Sequence, residues 1–256
     1  MPNRSDLIYY YDGSFEGLMC CVFESYEKRE IPMHIFINES SQMTLFKSKE
    51  IETDVNKSNR VITSIPIKIG THALNFIQRA FLTCLNDKEL YILLFMRLGY
   101  KYGSKVMGML ANDVVNTLFK AVKYLGQESH LFMGFIRFSD YKEGLVAEIE
   151  PKNYVLPLLN RHFVERYPEE RFLIHDKTHD MALIYEPYKS SIIPVENMRL
   201  PEITEEEKHF RALWSLYYKT VEIEGRHNPK CRRTLMPKRY WKYLTEFNCQ
   251  GNYNNK

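Results

Sequence analysis

The chain has 256 residues, 45% of them hydrophobic, 14% aromatic and 26% charged, and a formal net charge of +3. That composition can fill one large domain or two packed lobes, and it excludes disorder as the dominant state. No apolar run reaches the about 18 residues that a membrane-spanning helix needs, and no basic segment, apolar stretch and small-residue cleavage site open the sequence, so a cytoplasmic location without membrane attachment is expected.

Leu7 to Tyr11 reads as a short strand. Asp12-Gly13-Ser14 predicts a turn and a helix N-cap, followed by a helix from Phe15 to Lys28 with Leu18, Val22 and Tyr26 on one face. His34 to Ile37 and Met43 to Phe46 are candidates for short strands. A helical block occupies about 54–126, with one helix starting at Thr71, another at Asn86-Asp87 and a last one at Asn112 or Asp113; Gly99 and Gly103 punctuate it.

The period changes over 131–186. Leu131 to Phe138 and Leu145 to Glu150 read as a hairpin, Asn153 to Tyr167 as a helix, and Arg171 to His175 and Met181 to Tyr185 as a second hairpin. This β-β-α-β-β order predicts an antiparallel sheet with one helix on a single face, and β-strand Leu7–Tyr11 is expected to join it. Pro187 to Pro201 reads as a linker. Thr204, three residues before Glu207, has capping-box spacing and opens a helix to about Gly225. The fold class is therefore α+β, with a core over 1–190 and, over 191–256, a linker, a helix and a basic aromatic segment packed on it.

The five cysteines lack any Cys-x-x-Cys spacing, which speaks for reduced, buried thiols and against a zinc or cluster site. His175, Asp176 and His179 have ligand-like spacing, yet a hairpin turn explains them without a metal, and no cofactor is implied. The turn around Gly13 could offer amides to an anion, but Asp12 and Glu16 would repel one, so a capped helix start is expected. No spacing typical of a covalent nucleophile occurs.

Two groups remain. Glu128, His130, Arg137, His162 and Arg166, with Glu16 at the edge, could converge in one polar cleft and hold a phosphodiester; a salt-bridged seam between helix and sheet is the competing explanation. Arg226, Lys230, Arg232, Arg233, Lys238, Arg239 and Lys242 form a cationic run without an intervening acid, interleaved with Tyr240 and Trp241. Such cations can neutralise phosphates and such rings can stack on bases, unless the rings dock onto the core.

Tyr10-Tyr11-Asp12-Gly13-Ser14-Phe15-Glu16-Gly17, Gly134-Phe135-Ile136-Arg137-Phe138, Val155-Leu156-Pro157-Leu158-Leu159 and Met236-Pro237-Lys238-Arg239-Tyr240-Trp241 occur in this order. Through them the chain, from about residue 7 to 247, resembles bacterial proteins described as DNA metabolism or DNA repair proteins, a family whose domain has no known function. The resemblance implies a neighbouring radical-SAM protein as partner and a related domain fused to some uracil-DNA-glycosylase-like proteins. No Cys-x-x-x-Cys-x-x-Cys is present, so the radical-SAM cluster motif would belong to the partner. The resemblance and the basic segment together lead to the expectation of a DNA-binding accessory protein. The alternatives are an enzyme acting on damaged or modified DNA, glycosylase- or lyase-like, or a protein-interaction scaffold.

Overall fold

A computed structural model describes residues 6–38, 46–196, 198, 203–223, 225 and 228–248. They fall into two units, Met1–Gly126 and Gln127–Lys256, a division well before the expected 190/191 boundary. The architecture is α+β in both.

In the first unit, β1 (Leu7–Tyr11) lies between β2 (His34–Ile37) and β3 (Lys47–Glu50) and pairs with both in parallel. The expectation that β1 joins the main sheet is overturned, because two strands of its own unit satisfy its backbone groups. Met43 to Leu45 lie outside the described residues, and the strand found here starts at Lys47.

The turn after β1 is closed by side chains. Asp12 accepts from the Ser14 amide at 2.9 Å, the Ser14 hydroxyl at 2.7 Å and the Thr53 hydroxyl at 2.8 Å. Burial pushes the Asp12 carboxyl up, but these bonds outweigh it and hold the group below the usual carboxylate range. Ser14 accepts from the Gly17 amide and so caps α1 (Phe15–Glu27), as its sequence position predicts. Leu18, Met19, Cys20, Cys21 and Val22 are all buried, a wider face than the Leu18–Val22 stripe.

Asp54 caps α2 (Val55–Lys68), and α3 (Thr71–Phe81) follows with Gly70, not Thr71, as its cap. α4 (Lys88–Tyr102) passes straight through Gly99. That glycine is a packing residue rather than punctuation: a Cβ there would meet two Ile69 carbons at 2.7 and 2.9 Å. Asn112 accepts from the Val114 and Val115 amides at the start of α5 (Asp113–Phe135).

α5 corrects the first strand of the expected hairpin. Leu131 to Phe135 are its last helical residues, and residues 136–138 are a link without regular structure. The second unit then builds a five-stranded sheet in sequential order: β4 (Ser139–Tyr141), β5 (Gly144–Ile149), β6 (Phe172–Asp176), β7 (Met181–Glu186) and β8 (Lys189–Pro194). Two further expectations change. β5 and β6 are parallel, because α6 (Leu156–Arg166) crosses over between them, so the sheet is mixed. The presumed linker supplies β8, which pairs antiparallel with β7 across a loop in which Tyr188 takes a φ of 67°. α6 buries Leu156, Leu159 and Phe163, as their spacing predicts.

Thr204 caps α7 (Glu205–Thr220) by accepting from the Glu207 amide. The Glu207 carboxylate does not complete the capping box; it takes the Asp140 amide and Arg211. α8 (Pro229–Leu235), a 3-10 helix over Lys238–Tyr243 and α9 (Thr245–Asn248) complete the described chain. Among the described residues no helix is long and apolar enough to cross a membrane.

Candidate nucleic-acid interface

The aromatic residues of the basic segment hold it in place. Tyr240 is 3% exposed, its ring 5.1 Å from Phe132 and 5.3 Å from Phe135 between centroids. It is therefore a core anchor and not a surface for stacking a base. Trp241 is half-buried, stacks on Phe247 at 4.5 Å and donates its indole N–H to the Met236 carbonyl at 2.9 Å.

The run contains no acid of its own, but acids reach it from elsewhere in the unit. Arg239 is 2.9 Å from Glu128 on α5, which is 4% exposed. The same carboxylate accepts from the Lys152 amide at 3.1 Å, the Asn153 amide at 2.8 Å and the Asn153 side chain at 2.6 Å. Lys242 pairs with Glu150, which also accepts from the Tyr243 hydroxyl at 2.5 Å. The Lys242 ammonium and the Tyr243 hydroxyl hold the Glu150 carboxyl below its ordinary range. Arg239 and Lys242 are thus braces.

Four cations of the run keep no carboxylate partner among the described residues: Lys230, Arg232, Arg233 and Lys238. Lys230, Arg233 and Lys238 are exposed, while Arg232 is half-buried over Trp241 at 5.4 Å and Phe247 at 5.7 Å. Lys238 lies 5.9 Å from the Trp241 ring centre. Asn228 caps α8 by accepting from the Cys231 amide, which fixes the turn carrying the first three. Arg226 lies outside the described residues.

Among the described residues no hydrogen bond or ion pair joins the members of the other group to one another. Arg137 is claimed by Glu246 on α9, at 2.9 Å from Nη2 and 3.3 Å from Nε. The Trp214 indole N–H donates to the same carboxylate at 3.1 Å. Arg137 lines a polar cavity of about 200 Å³ with Glu148, Arg211, Lys242 and Tyr243, whose lining includes none of His130, His162 and Arg166. His130 is exposed on α5. His162 is half-buried against the Phe163 ring, its Nε2 without a partner. Arg166 is exposed and lies over Tyr167 at 5.7 Å. Glu16 belongs to the first unit, in the opening turn of α1. The hairpin on which the grouping rested is replaced over Leu131 to Phe135 by the end of α5. Glu246 and Glu150, the acids that bind the expected cations, carried no local signal, since each meets its partner from far along the chain.

Asp176 accepts from the Thr178 and His179 amides at 3.0 and 3.3 Å and lies 2.7 Å from His179 Nδ1. This is a side-chain-closed turn, and among the described residues no group of His, Cys, Asp and Glu is arranged to hold a metal. Cys20 and Cys21 are buried, whereas Cys84 and Cys231 are exposed, contrary to the expectation of buried thiols throughout.

A family model described as a domain of unknown function, DUF4130, matches residues 86–246. The match takes in the end of the first unit and most of the second, and it leaves β1 to α3 outside. No curated protein and no solved structure matches the chain.

Proposed function

We propose that this chain, which belongs to the family of the domain of unknown function DUF4130, is a DNA-binding accessory protein of DNA metabolism or repair. The observation that carries the reading is that Lys230, Arg232, Arg233 and Lys238 have no described carboxylate partner, with Arg232 and Lys238 over Trp241, on a segment anchored by Tyr240. Unpaired cations on an ordered scaffold release condensed counterions when they meet phosphates. A cytoplasmic location goes with this reading.

The test is a titration of labelled duplex DNA at several salt concentrations. Four phosphate contacts give a logarithmic salt slope of about −3.6. Arg232→Ala/Arg233→Ala should bind more weakly and lower the magnitude of that slope by about 1.8. Equal affinities and slopes for the two folded proteins would remove the α8 cluster as the contact surface.

One observation favours the scaffold alternative. Phe210, Leu213, Tyr217 and Val221 recur at helical spacing along and just beyond α7, and all four are exposed. An exposed apolar stripe of this kind suits a protein partner, and the radical-SAM protein implied by the sequence resemblance is the candidate. The enzymatic alternative has less support, because it relies on side chains that the described structure engages separately.

A further inference from the structure

Two grooves on the first unit meet at one pair of rings. The first, about 490 Å³, is lined by Phe23, Arg60 and Lys68; the second, about 660 Å³, takes in Arg97 and Lys101. Tyr26 and Tyr100 line both and meet edge to face, their centroids 5.4 Å apart.

Each ring of this strip is overlain by a cation. Lys57 and Arg60 lie 5.5 and 5.7 Å from the Phe23 centroid, Arg97 lies 4.7 Å from Tyr26, and Lys68 lies 5.8 Å from Tyr100. None of these four, nor Lys101, has a carboxylate of the described residues within ion-pair distance. The nearby acids are few: Glu27, which lies 3.9 Å from Lys28, and Asp113 at the rim of the second groove. Tyr26 keeps 40% of its surface exposed.

Phe23 and Tyr100 pack one side against the core of the unit, which does not account for the charges gathered over them. Five like charges beside two acids, Glu27 and Asp113, leave an excess of positive charge that repels itself, and a chain of phosphates would relieve that repulsion. Rings and guanidinium planes beside the charges offer flat surfaces to unpaired bases. A duplex keeps its bases stacked inside, whereas a single strand can turn them into a groove. An acidic peptide would satisfy the cations but has no planar groups to match the rings.

We propose that this face binds single-stranded nucleic acid, with Arg60, Lys68 and Arg97 on its phosphates and the Tyr26–Tyr100 pair as the stacking platform. The proposal deepens the nucleic-acid reading above and does not depend on the α8 cations. Most of the face lies on α1 and α2, outside the region matched by the family model.

The test measures binding of a short labelled oligothymidylate to the full chain across a salt series. Arg60→Glu/Lys68→Glu changes two exposed side chains; it should weaken binding at least tenfold and reduce the salt-slope magnitude by about 1.4. Tyr26→Ala should weaken binding by about tenfold through lost stacking. A melting curve checks each fold, and the charge variant carries the test should Tyr26→Ala melt early. Unchanged affinity in a folded Arg60→Glu/Lys68→Glu overturns the proposal. Loss of oligothymidylate binding only in Arg232→Ala/Arg233→Ala overturns it too, while leaving the α8 surface standing. A wild-type chain that binds polyglutamate here but no oligothymidylate overturns it in favour of an acidic peptide. Duplex binding that survives Arg60→Glu/Lys68→Glu while oligothymidylate binding is lost upholds both sites as separate.

Discussion

Arg239 and Glu128 stand 2.9 Å apart, the arginine 41% exposed at its side chain and the carboxylate 4%. The asymmetry assigns their roles: the arginine covers a buried acid that three donors of residues 152 and 153 already bind. Removing the acid strands those donors and an arginine, whereas removing the arginine lets water approach. Glu128→Ala should therefore cost about 3 kcal/mol or more, and Arg239→Ala about 1 kcal/mol. Urea unfolding of the two variants decides this, and equal losses would contradict the assigned roles.

Tyr240 divides anchoring from binding. Its truncation removes a buried ring from between Phe132 and Phe135 and should cost about 3–5 kcal/mol. Tyr240→Ala should also render 228–248 sensitive to brief proteolysis, while Arg232→Ala/Arg233→Ala keeps wild-type resistance and loses only DNA affinity. A Tyr240→Ala protein as stable as wild type would show that the ring does not hold the segment.

Stability should have an alkaline limit set by the first unit. Burial pushes the Tyr26 hydroxyl up to about 12. Burial also raises Tyr9 and Tyr11, whose hydroxyls donate to Glu30 and Glu89, and the Cys21 thiol. Each group is favoured neutral in the folded state, so its contribution is complete below the unfolded value, about 10 for tyrosine and about 8.5 for cysteine. It is lost as pH rises toward the folded value. The denaturant midpoint should fall from about pH 9 upward, with tyrosinate absorbance from these rings appearing together with unfolding. Full tyrosinate absorbance near pH 10 in a folded chain would sink the prediction.

Two glycines test local packing against a third. A Cβ on Gly17 would lie 2.2 Å from Asp12 Oδ1 and 2.8 Å from Thr53 Oγ1, and one on Gly99 would press into Ile69. Each alanine there should cost about 1–3 kcal/mol. Gly134, inside α5, has nothing within 4 Å of such a Cβ. Gly134→Ala should stabilise by about 0.5–1 kcal/mol, since it restricts the unfolded chain and suits a helix. Melting temperatures in the opposite order would refute the packing account.

What could be read from the sequence was local. Ser14 and Thr204 cap their helices because a cap is defined within four residues, and Leu156, Leu159 and Phe163 share a face because helical spacing alone fixes that. Leu131 to Phe138 misled because a run apolar except for Arg137 carries little period: on α5 Phe132 is buried and meets Tyr240, a residue far along the chain. β8 gave little signal because an edge strand made of Lys189-Ser190-Ser191-Ile192-Ile193-Pro194 needs no buried alternation. The partners of the expected site residues were hidden for a similar reason. Which arginine remains free depends on where Glu128, Glu150 and Glu246 arrive, and that is a property of the folded unit.

The central place of β1 has a consequence for the order in which the molecule assembles. Its two neighbours join it in parallel, Ile8 meeting His34 and Leu7 meeting Lys47, so neither pairing can begin as a hairpin and each must wait for a long loop to close. In the second unit, β6, β7 and β8 zip through two short turns. These later strands should therefore protect their amides first, in about milliseconds, with β1 following more slowly. Pulsed hydrogen exchange during refolding would see Ile174 and Leu183 shielded before Tyr9; simultaneous protection would mean that loop closure does not limit the first unit.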